Sequence, residues 1–223
     1  MKLLALDTST EYLSLALWLD GETHARDVLA GQQHSQLILP MISELLAEHH
    51  LSLTELDGIA FGAGPGSFTG LRIGCGVAQG LAFGSNLKVA GISTLLALAQ
   101  RSERERVIAC LDARMGEVYF AAYVRQGEDW QTAHEPALYS PQQLPVLQGD
   151  AWYGIGSGWQ AYEGALEAAY AKQLAGYDGQ AFPHAEDIAA LASRQFARGE
   201  GVSAELAAPI YVRNKVALKM SER

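Results

Sequence analysis

The chain has 223 residues, 49% of them hydrophobic and 18% charged, with a formal charge of −9 and a pI near 5.1. That size and apolar content suffice for one large or two small domains, each with a real core. The acidic balance excludes an unaided grip on a nucleic-acid backbone, which takes clustered Lys and Arg, so any nucleic-acid role requires a partner. Two cysteines, Cys75 and Cys110, stand in apolar surroundings and read as core residues rather than a disulfide framework. The opening MKLLALDTSTEY meets Asp7 before a signal-peptide core can form, and no apolar run reaches about 18 residues. The expectation is a soluble protein of a reducing compartment, the cytoplasm, with no membrane contact.

Taken in order, residues 2–6 predict an apolar strand closed by Asp7-Thr8-Ser9-Thr10. Residues 13–19 predict a second, ending at the hairpin turn Asp20-Gly21, and 23–29 a third. Leu37, Ile38, Met41, Ile42, Leu45 and Leu46 follow helical spacing within 34–50, where Pro40 is expected to kink the first turns. A strand at 57–61 runs through a turn of three glycines and a proline into a helix over 69–84, with Ser67 or Thr69 as its N-cap. Residues 88–92 predict a strand and 93–100 a helix capped by Ser93 or Thr94. The charged run 101–106 is the best boundary, dividing the chain into 1–104 and 105–223.

The stretch 56–84 organises this half. Small residues recur every fourth place in two rows, Gly66-Gly70-Gly74-Ala78-Ala82 and Gly76-Gly80-Gly84. Each interior glycine costs roughly 1 kcal/mol of helix preference against alanine. Close approach of another backbone, within the chain or from a partner, or of a ligand at the turn, would account for that cost. The turn matches no phosphate cradle: Thr69 stands where a P-loop and the dinucleotide fingerprint each need glycine. Ser67 is not in a hydrolase elbow either, because Pro65 and Thr69 occupy the glycine places.

Beyond the boundary the plan repeats. Residues 107–124 form an apolar strand ending in Asp112, a short turn and a second strand, as at Asp7. Residues 126–150 carry three prolines and predict mostly irregular chain. Residues 152–156 then predict a strand, Ser157-Gly158 a turn, and 159–174 one alanine-rich helix. A last helix over 183–198 has Pro183 near its start and Gly199 past its end. The tail from Tyr211 is basic, through Arg213, Lys215, Lys219 and Arg223. Two such halves suggest a duplicated α/β unit with mixed sheets, the plan of the actin and hexokinase-like (ASKHA) fold.

In that fold strand-terminal aspartates and glycine turns face a nucleotide cleft, which makes Asp7 and Asp112 candidates for a phosphotransferase. The usual D-x-G-x-[ST] turn is absent, since Asp7-Thr8-Ser9-Thr10 lacks the glycine, and both aspartates also read as turn formers. The six histidines never fall at i, i+4 on one helix, and no carboxylate pair or Ser–His set has catalytic spacing. No catalytic, cofactor or metal residues are therefore assigned.

The motifs LALDTST at the start, GPGSFTGLRIG at 64–74, GISTL at 91–95, DARMGEVY at 112–119, GSGW at 156–159 and YVRN at 211–214 resemble the TsaB (YeaZ) family. The resemblance covers nearly the whole chain. It implies an actin-like fold of two subdomains, the tail returning to the first, and a non-catalytic role in tRNA threonylcarbamoyladenosine synthesis. It further implies pairing with the transferase TsaD, work with the ATPase TsaE, and tRNA contact only through the complex. A homodimer is the alternative when the chain is alone. TsaD-like enzymes carry a G-V-N-H-M-E-G-H stretch whose histidines bind metal. Laid on residues 91–98, those positions hold Thr94 and Leu98, and leucine has no donor atom. The resemblance also assigns the partner interface to the two first-half helices, through His34, Leu37, Ile38, Met41, Leu45, Gly70, Gly74, Val77, Ala78 and Leu81. On that reading Gly74→Leu would block pairing and spare the fold.

Overall fold

The computed structural model describes residues 1–212. The first sheet contains β1 (Lys2–Asp7), β2 (Tyr12–Leu19), β3 (Glu22–Leu29), β4 (Gly58–Gly64) and β5 (Lys88–Ser93), in the order β3-β2-β1-β4-β5. The second contains β6 (Arg106–Arg114), β7 (Glu117–Gln126), β8 (Asp129–Tyr139), β9 (Trp152–Ile155) and β10 (Leu174–Asp178), in the order β10-β9-β6-β7-β8. Each sheet opens with an antiparallel meander and adds two parallel strands beside its first strand. The two topologies are the same, so the fold is a duplicated actin-like α/β unit.

Helices α1 (His34–Glu48) and α2 (Phe68–Ser85) cover one face of the first sheet. Ile38, Ile42 and Leu45 of α1 and Cys75, Ala78 and Ala82 of α2 join Leu4, Leu6, Leu13, Leu15, Leu17, Ile59 and Phe61 in one core. Burying such side chains contributes about 1.5–3 kcal/mol each, which outweighs Pro40 within α1. The opposite face takes α6 (Ala185–Ala197), whose Ile188, Ala189 and Ala192 pack on Leu3, Ala5 and Ala60. Thus a helix late in the sequence returns to the first sheet. Ser14 Oγ accepts from Ala185 N at 2.7 Å, and His184 Nδ1 lies 3.0 Å from Asp27 Oδ2. Burial pushes Asp27 up, but the bonds from His184 and Ser14 outweigh it and hold the carboxyl below its ordinary range. On the second sheet, α3 (Thr94–Arg101) covers the face bearing Val107, Ala109 and Tyr123. The short α4 (Ser157–Ala161) and α5 (Glu163–Tyr170) cover the other, centred on Trp159, Phe120 and Trp152.

Three expectations change. Residues 129–139 are a strand, not irregular chain, because Pro136 lies on an edge strand that pairs only with β7. The register jumps there from Ala122↔His134 to Phe120↔Ala137, so Pro136 needs no ladder bond. The single helix expected over 159–174 breaks at Tyr162, whose φ of −133° is not helical, and a tenth strand follows it. That strand was hidden because Gly176, at φ +145°, breaks its pattern. The basic tail lies almost wholly outside the described residues, which end at Val212.

The glycine rows of α2 have opposite surroundings. A Cβ on Gly70 would sit 1.9 Å from Thr8 O, and one on Gly74 would sit 2.5 Å from Thr8 Oγ1. Around Gly76, Gly80 and Gly84 nothing lies within 4 Å. Gly70→Ala is therefore expected to cost at least about 1–3 kcal/mol through overpacking on backbone. Gly80→Ala should stabilise by up to about 1 kcal/mol through helix preference. Urea midpoints of the two variants check this, and a shift of the same sign in both would refute the assignment of faces.

Candidate functional site

The first candidate is the turn after β1. Asp7 is 1% exposed. Its Oδ1 accepts from Ser9 N (2.9 Å) and Ser9 Oγ (2.8 Å), while Oδ2 has no partner among the described residues. A Cβ on Gly62 would lie 1.8 Å from Oδ2, so β4 carries glycine there to admit the carboxylate. Burial pushes the carboxyl up to about 6, against the hydrogen bonds from Ser9. Above the turn sits the start of α2. Thr8 Oγ1 donates to Gly70 O at 2.7 Å, and Ser67 N donates to Ser9 O at 2.7 Å. Ser67 Oγ caps the helix by accepting from Gly70 N at 3.3 Å, as its position in the sequence predicts. The Asp7 side chain thus lies on the α6 face of the sheet, against Gly62 and near Ile188, while the residues that follow it, Thr8 and Ser9, bind the start of α2.

Asp112 is held differently. Its Oδ1 accepts from Arg114 N (2.8 Å) and Tyr162 OH (3.2 Å), and Oδ2 pairs with Arg114 Nη1 at 3.1 Å. The left-handed φ values of Arg114, Met115 and Gly116 place this aspartate at the start of a tight hairpin. Both aspartates organise backbone turns, the bland alternative that the sequence left open. Thr94 is fully buried and donates Oγ1 to Pro65 O at 2.5 Å, and Leu98 belongs to the second-sheet core. Among the described residues no three His, Cys, Asp or Glu side chains are grouped to hold a metal ion.

The second candidate is the outer surface of α1 and α2, and the structure divides the ten expected interface residues. His34, Ile38, Leu45, Gly70, Gly74 and Ala78 are buried in the chain's own interior, with His34 Nε2 3.1 Å from Tyr12 O. Leu37, Met41, Val77 and Leu81 are half-buried at the rim. Gly74 makes room for Thr8, so Gly74→Leu would disturb the fold rather than a pairing surface. The outward surface of the two helices includes instead the second row, Gly76, Gly80 and Gly84, with Phe83 (70% exposed) on α2 and Leu39 (51% exposed) on α1. Both rows are composed of small residues, so periodicity could not tell which faced inward. The unspent signal was Phe83, an aromatic lying between Gly80 and Gly84 and off the buried row.

Two mixed sheets of one topology, crossed by α3 and α6, define a protein of the actin-like class that contains the TsaD superfamily. The TsaD family model, described as tRNA N6-adenosine threonylcarbamoyltransferase, matches residues 28–219. The chain is 43% identical to the tRNA threonylcarbamoyladenosine biosynthesis protein TsaB of Escherichia coli (strain K12), covering 98% of this chain and 97% of that one. It is 44% identical to the TsaB of Haemophilus influenzae, over 98% of this chain and 96% of that one. Among solved structures, YeaZ from Pseudomonas aeruginosa superposes with a TM-score of 0.85 at 42% identity, covering 94% of this chain and 99% of that one. The chain belongs to the TsaB (YeaZ) family.

The Asp7 carboxyl generates a test. Its folded pKa is raised from 3.8 to about 6, so its contribution to stability is present below about pH 4 and lost as pH rises through 6. Asp7→Asn stays neutral throughout. Relative to the native chain, it should gain roughly 2 kcal/mol between pH 4.5 and 7.5, the equivalent of about 1.4 pKa units. Denaturant titrations at both values measure the gain, and a pH-independent difference would exclude a buried charge.

Proposed function

We propose that the chain is a non-catalytic subunit of the cytoplasmic machinery that makes threonylcarbamoyladenosine next to the anticodon of tRNA. It pairs with a TsaD-like transferase, activates it together with a TsaE-like ATPase, and meets tRNA only through that complex. The division near residue 104 separates the subdomain that pairs from the one that does not. The carrying observation is the open glycine row of α2, with Phe83 exposed on the same helix and Leu39 exposed on α1. Small residues let a partner helix come close, and exposed apolar neighbours bury area at about 25 cal/mol per Å². Leu37, Met41, Val77 and Leu81 form the inner edge of this surface. When the transferase is absent, two copies of the chain pair through the same face. A phosphotransferase reading has less support, since Asp7 and Asp112 are both committed to turns and Thr94 and Leu98 to packing.

Gly80→Trp adds bulk where nothing lies within 4 Å, so it should leave circular dichroism unchanged and abolish co-elution with the transferase. In a reconstituted reaction, omission of the native chain should lower threonylcarbamoyl transfer at least tenfold, and Gly80→Trp should not restore it. Retained co-elution would remove the face from the proposal, and ATP turnover by the isolated chain would remove the non-catalytic reading.

A further inference from the structure

A large cavity lies away from both candidates. It has a volume of about 770 Å³ and sits between the end of α3, the start of α6 and the β9–β10 edge. Three arginines line it. Arg101 is already engaged, 2.6 Å from Glu186 Oε1 and 3.4 Å from Asp187 Oδ2. Arg104 and Arg125 form no ion pair among the described residues. The Arg104 guanidinium lies 4.9 Å over the Tyr153 ring, and that of Arg125 lies 5.2 Å over the Trp130 ring. Stacking holds a guanidinium flat and leaves its N–H edge free to fork onto an oxyanion. Arg125 N donates to Glu105 O at 2.7 Å, which brings the backbone next to Arg104 alongside that of Arg125, and both arginines line the cavity. Arg125 Nε is buried and has no acceptor among the described residues, so binding falls to the terminal Nη groups.

We propose that Arg104 and Arg125 bind the phosphoryl group of a phosphorylated, hydroxyl-bearing small molecule. The volume falls within the range of small-molecule sites and far exceeds a lone phosphate. The opposite wall supplies acceptors for hydroxyl groups, Asp178 and Glu186, and Gln100 and Ser102 complete a polar lining. The acidic groups at the cavity, Glu103, Asp178, Glu186 and Asp187, select against a bare polyanion, because only the arginine corner welcomes negative charge. The guanidiniums pair with the phosphoryl oxygens, with no bond made or broken.

The test is titration of the full-length chain at pH 7.5 in chloride buffer with inorganic phosphate and with glycerol phosphate, followed by phosphorus NMR line width. Saturable one-to-one binding is expected, tighter for glycerol phosphate than for phosphate. Arg125→Gln and Arg104→Gln should each weaken it at least tenfold, and Arg125→Lys should restore part of the loss. Arg114→Gln, at the Asp112 turn, should leave it unchanged. Urea midpoints within error of the native chain establish that the variants fold, and the Lys variant carries the test if the Gln variant does not. Absence of saturation, equal loss in all variants, or an oligoribonucleotide that binds the chain but is not displaced by glycerol phosphate would each overturn the proposal.

Discussion

The seating of α2 on the turn after β1 is the contact on which the rest of the first half depends. Thr8 offers both its carbonyl and its hydroxyl to the helix, and Gly70 and Gly74 are the residues that let the helix reach them. Two helical glycines in succession along one row carry a helix-propensity cost of the order of 1 kcal/mol each. Hydrogen bonds from Thr8 and Ser67, together with burial of Ala78 and Ala82 further along the row, offset it. Because the row is committed inward, the rotation of α2 is fixed, and the other row is necessarily outward.

The turn that receives the helix also begins with a buried aspartate. Asp7 ends a strand as the corresponding aspartate does in the second half, but only Asp7 is covered. Asp112 keeps company with Arg114 and Tyr162, whereas Asp7 has Ser9 alone and one oxygen facing Gly62. Identical topology therefore yields two unlike aspartates. In both halves the polar group closes the backbone turn, and in the first half full burial adds a desolvation cost that raises the pKa.

Duplication also governs how the halves join. Helices α3 and α6 each follow the fifth strand of their own half, yet α6 packs on the first sheet while α3 packs on the second. Each sheet thus receives the other half's last helix or the connecting one, and the polar pairs at the start of α6 bind it to β2 and β3. Arg101 at the end of α3 meets Glu186 and Asp187 at the start of α6, where burial pushes Asp187 up to about 7 against the arginine's pull. The arginine-lined cavity opens beside this junction.

The sequence by itself determined the strand–turn–helix order of the first half, an α2 N-cap at Ser67 or Thr69, the last helix and the family. Each of these rests on local spacing: alternation, 3.6-residue periodicity, a capping hydroxyl, or a motif carried by adjacent residues. It also marked the glycine helix as a place of close approach. Only the tertiary structure decided which glycine row was approached, because Gly70 and Gly76 are locally equivalent and differ only in having Thr8 across from one of them. Tertiary structure likewise made β8 and β10 into strands, since an edge position tolerates Pro136 and a parallel neighbour supplies the pairing that Gly176 weakens. The cavity was invisible for the same reason: Arg104 and Arg125 are 21 residues apart in the chain and line one cavity only once β6 and β7 pair.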